Sequence, residues 1–72
     1  MGLDELSDEQ STVVLKTIDR FAKNRVISWN DRERVATDGF MRNYLARIFK
    51  DKKDLEDMYS IYEAKVKAYT RR

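Results

Sequence analysis

No proline interrupts this 72-residue chain, and only Gly2 and Gly39 adopt left-handed backbone conformations readily. Helices therefore run without forced breaks, and tight β-hairpin turns have little support. The apolar residues recur at helical spacing. Val14, Leu15, Ile18, Phe21 and Ala22 fall on one face of a first helix. Val35, Ala36, Phe40, Met41, Tyr44, Leu45, Ile48 and Phe49 make a wider face, as expected of a second helix with two neighbours. Leu55, Tyr59, Tyr62, Val66 and Tyr69 alternate steps of four and three, a packing seam that Met58 and Ile61 widen.

End signals bound these segments. Ser7 followed by Gln10 has capping-box spacing and predicts the start of the first helix, with Asp8 and Glu9 at its positive dipole end. Asn24 is the expected C-cap. Ser28 followed by Asp31 predicts a second helix beginning near Trp29. Asp51 to Asp54 reads as a polar connection, and the third helix is expected from about Leu55 to Tyr69.

The fold class is therefore all-α. Short links make it a small antiparallel three-helix bundle, one domain over residues 1–72 with residues 1–7 as a short leader. A glycine inside a helix costs about 1 kcal/mol relative to alanine, so a four-helix variant broken near Gly39 is the alternative. A chain this short buries only about 60% of its unfolded surface, which makes its apolar positions scarce.

An antiparallel bundle would bring residues 19–34 and 63–72 to one pole with a net charge of +5, leaving −3 on the rest. Such polarity steers acidic partners even at a total of +2. The residues expected to contact a partner are Arg25, Trp29, Arg32, Arg34, Lys65, Lys67, Arg71 and Arg72. The last four end a helix, where cations offset the dipole. Arg32 and Arg34 stand near a helix start, where the dipole disfavours them, so they point more directly to binding. Trp29 is expected to cap the core, with its ring on Val26, Ile27 or the third helix; the alternative is an interface anchor.

If the second helix splits at Gly39, Arg42, Asn43 and Arg47 become candidates for reading a DNA groove. The competing reading is an exposed polar helix face. Asp31 and Glu33, interleaved with arginines, would repel phosphate and favour a protein partner over DNA or RNA.

Catalysis has little to work with. The chain has no histidine and no cysteine, and its glycines are too few for a phosphate loop. The carboxylates at Asp4, Glu5, Asp8, Glu9 and at Asp54, Glu56, Asp57 lack the alternation of a calcium loop and read as helix N-terminal charges. No metal or cofactor is expected. With no apolar run of membrane-spanning length and no cysteine, the expectation is a soluble, cytoplasmic protein without membrane contact. Its expected function is a non-catalytic protein–protein interaction or regulatory module that binds an acidic partner through the basic pole. Apolar surface beyond what one bundle buries makes it self-associating, as a homodimer through the second or third helix. A small nucleic-acid-binding regulator is the alternative.

Overall fold

A computed structural model describes residues 6–71 of the chain. The described residues form three helices and no strand: α1 (Asp8–Ile27), α2 (Asp31–Ile48) and α3 (Lys52–Thr70). The expected leader lies mostly outside the described residues, and Ser7 already belongs to α1 as its cap.

The capping box at the start of α1 is formed as its spacing predicted. The Gln10 N–H donates to Ser7 Oγ at 3.1 Å, and the Ser7 N–H donates to Gln10 Oε1 at 3.3 Å. The other limits differ from expectation. α1 passes Asn24 and ends at Ser28, whose N–H and hydroxyl both donate to the Asn24 carbonyl, at 3.1 and 2.7 Å. α2 is capped by Asn30, which accepts the Glu33 N–H at 2.8 Å, so Ser28 closes one helix instead of opening the next. α3 begins at Lys52 because Asp51 accepts the N–H groups of Lys53 and Asp54, turning the expected connection into the first helical turn.

α2 runs unbroken through Gly39, so the four-helix variant is set aside. The helix continues on both sides of the glycine and closes at Phe49, whose N–H donates to the Leu45 carbonyl at 2.8 Å. The local cost of a helical glycine is smaller than the cost of breaking a helix between packed residues.

All three helices pack on one another. The buried set is Val14, Ile18 and Ala22 from α1, Met41 and Leu45 from α2 with Phe49 just beyond it, and Met58 and Tyr62 from α3. The tyrosine seam of α3 faces this core as its period predicted, with Leu55, Tyr59, Ile61, Val66 and Tyr69 half-buried around Tyr62. Part of the expected core is outside instead. Leu15 leaves the α1 stripe, because Val14, Ile18 and Ala22 at strict four-residue spacing already fill it. Val35, Ala36 and Phe40 lie on the side of α2 away from Met41 and Leu45 and are exposed. No described helix is long and apolar enough to cross a membrane.

Candidate functional site

The α1–α2 junction is three residues long: Ser28, Trp29 and Asn30. Trp29 is 95% exposed, which overturns the core-capping expectation. The physical reason lies in its neighbours. A residue just before an N-cap buries itself by packing on the fourth residue of the new helix, and here that residue is Arg34. Arg34 offers no apolar seat, because its guanidinium turns back onto the Ser28 carbonyl. Nε and Nη2 donate to it at 3.2 and 2.9 Å, and Nη1 donates to Asp31 Oδ1 at 3.0 Å. Arg34 thus sits at the negative end of α1 as much as at the start of α2, so the dipole objection to its placement is answered locally.

The consequence is a fixed junction carrying a free ring. Ser28 is tied to Asn24 behind it and to Arg34 ahead, and Asn30 is tied to Glu33. Ile27 and Val35, on either side, are about 70% exposed. Arg32, in the first turn of α2, is exposed and has no ion pair among the described residues.

Other cations of the expected pole are engaged inside the fold. Arg25 Nε donates to Asp38 Oδ1 at 3.2 Å, and Tyr62 donates its hydroxyl to the same oxygen at 2.5 Å. One carboxylate therefore links all three helices, beside a cleft of about 210 Å³ that Lys67 also lines. Burial pushes the Tyr62 phenol well above the usual tyrosine range, and the bond to Asp38 adds to this. Lys65 pairs with Asp19 at 3.7 Å, and Asp19 also accepts the Tyr69 hydroxyl and pairs with Lys23. The Tyr69 bond, followed by Lys23 and Lys65, holds the Asp19 carboxyl below its ordinary range. Arg71 is exposed at the end of α3, and Arg72 lies outside the described residues.

Of the eight expected partner-contacting residues, Trp29, Arg32 and Arg34 are brought together at the junction. Arg25 and Lys67 share the Asp38 cleft, and Lys65 lies against Asp19. Among the described residues no hydrogen bond, ion pair or cation–π contact joins the α3 cations to Trp29 or Arg32. Of the groove-reading candidates, Arg42 is committed to Glu56 at 2.6 Å and to the face of Tyr59 at 4.3 Å, while Asn43 and Arg47 are exposed. The Glu56 bond holds the Arg42 guanidinium above its ordinary range, and Arg42 holds the Glu56 carboxyl below its own.

Comparison with family models, with curated proteins and with solved structures finds no match to this chain.

Two features were missed in the sequence, though each left a trace there. Asn30 followed by Glu33 has capping-box spacing and competed with Ser28 followed by Asp31. Asp38 falls on the helical row of Arg34, Met41 and Leu45, a polar residue in a core-facing position, which signals a partner reaching in from another helix.

Proposed function

We propose that the chain is a non-catalytic protein–protein interaction or regulatory module that docks an acidic macromolecular partner at the α1–α2 junction. Trp29 is the anchor and Arg32 the charge contact. The observation that carries this reading is a tryptophan left 95% exposed on backbone tied down on both sides. Tryptophan and arginine dominate interface hot spots, and a side chain presented on rigid backbone loses little freedom on binding. Ile27 and Val35 supply apolar surface around the ring. An antiparallel bundle remains part of this proposal, as does a cytoplasmic setting, which suits a chain without cysteine.

Nucleic acid is the rival acidic partner, since an exposed indole also stacks on unpaired bases. The engagement of Arg42 with Glu56 leaves groove reading by α2 with fewer free donors, and Asp31 and Glu33 flank Arg32 with negative charge.

The test is affinity capture from the native host with the intact chain, set beside Trp29→Ala and Arg32→Glu. An acidic protein retained by the parent and lost from both variants supports the reading. Equal retention by all three overturns the site. Random duplex and single-stranded oligonucleotides, titrated at low and high salt, decide the rival: phosphate contacts give affinity that falls steeply with salt.

A further inference from the structure

The outer face of α2 lies opposite Met41 and Leu45. At about 100° per residue, Val35, Ala36, Gly39, Phe40 and Asn43 share it, and all five are exposed, Phe40 by 63%. A Cβ placed on Gly39 would meet nothing within 4 Å. The fold therefore makes no use of the missing side chain, although a helical glycine costs about 1 kcal/mol. Close approach of another backbone is a use for it.

The charges at the ends of this face say what covers it. Glu33, Phe40 and Arg47 recur at intervals of seven residues and form one exposed row, acid then aromatic then base. Neither Glu33 nor Arg47 has an ion pair among the described residues. A basic helix laid along the row would meet Arg47 and an acidic one would meet Glu33. A helix carrying the same row in reverse matches both ends.

We propose that a second copy of this chain covers the face, α2 running against α2 about a two-fold axis at Phe40. Glu33 of each copy then meets Arg47 of the other, so the ion pair forms twice. Phe40 meets Phe40, with Ala36 and Asn43 beside it and Gly39 at the edge of the contact. Parallel pairing would set like charges together, whereas opposed pairing also opposes the helix dipoles. About 14 residues of helix span roughly 20 Å, so the contact is smaller than the ~800 Å² per partner of a standard interface and the dimer is a weak, reversible one. The pairing follows the self-association expected from the sequence, and its key residues Glu33, Phe40 and Arg47 are distinct from Trp29 and Arg32 of the partner contact.

Sedimentation equilibrium of the full chain at several loading concentrations and two salt concentrations tests it. The parent is expected to dimerise with concentration, less so in high salt. Arg47→Glu or Glu33→Arg alone should weaken association at least tenfold, and the two together should restore it, with helical circular dichroism retained in every variant. A strict monomer at all concentrations overturns the proposal, as does a double variant no tighter than the singles. Partner capture run on the same variants separates the two readings. Single variants that lose dimers while keeping capture support both readings. A parent that captures its partner but never dimerises overturns the pairing alone, and a parent that dimerises but captures no acidic partner overturns the Trp29 site alone.

Discussion

Tyr62 of α3 donates its hydroxyl to the Asp38 carboxylate of α2, on the same oxygen that Arg25 of α1 reaches. Tyr62 is almost wholly buried, while Asp38 stands at the edge of the core. The bond thus carries the core outward to a charge that two other helices share. Among the described residues no buried side-chain nitrogen or oxygen lacks a partner.

Tyr62→Phe should destabilise the fold by about 1 kcal/mol at neutral pH, the usual net worth of one hydrogen bond. The pH dependence follows from the raised phenol. A group whose folded pKa lies above its unfolded value contributes fully below the unfolded value, about 10 for tyrosine, and loses that contribution as pH rises beyond it. The parent should therefore lose stability above about pH 10, and Tyr62→Phe should flatten part of that loss. Urea midpoints measured from neutral to strongly alkaline pH check both.

At the acid end the sign reverses. The Asp19 and Glu56 carboxyls are held below their ordinary range, Asp19 first by Tyr69 and Glu56 first by Arg42. Their contributions are present above the unfolded carboxylate pKa, about 4, and vanish as pH falls through the depressed folded values. Asp19→Asn and Glu56→Gln should each reduce the slope of stability against pH below about pH 4. Salt should shrink the Glu56 effect more, because that pair is about half exposed. Denaturant titrations at two ionic strengths distinguish them.

Arg34→Ala should loosen the junction more than it weakens the whole fold. It removes two bonds to the Ser28 carbonyl and the pair with Asp31, at a net cost of about 1 kcal/mol for a guanidinium partly in water. Amide hydrogen exchange should accelerate at residues 28–31, with the core amides of α3 changing much less.

Gly39→Ala should stabilise the monomer by up to about 1 kcal/mol, since the position is helical and a Cβ there meets open space. Thermal unfolding at low protein concentration measures this. A loss of stability would show that the glycine serves the single chain in a way its surroundings do not reveal.

The three helical segments were legible because periodicity and caps are local. Ser7 and Gln10 lie three residues apart, and their pairing needs no knowledge of the rest of the chain. The fate of Trp29 was set by the way Arg34 turns, which spacing along the chain does not give. A buried indole needed an apolar seat in the first turns of α2, and Arg34 turned to the end of α1 instead. The cations show the same limit. Arg25 and Lys65 count as positive charges along the chain, but their worth to a partner depends on Asp38 and Asp19, which only folding brings beside them. Arg32 is exposed in the first turn of α2, near the helix start where its place in the sequence put it.

The lone tryptophan and the four tyrosines occupy different worlds in this molecule. Trp29 is already in water before any denaturant is added, so its emission should hardly register unfolding. It should instead shift to the blue when something covers the α1–α2 junction. Tyr62, sealed in the core, does the opposite. Excitation of the indole alone then reports occupancy, and the tyrosine near-ultraviolet signal reports folding, in one unlabelled sample.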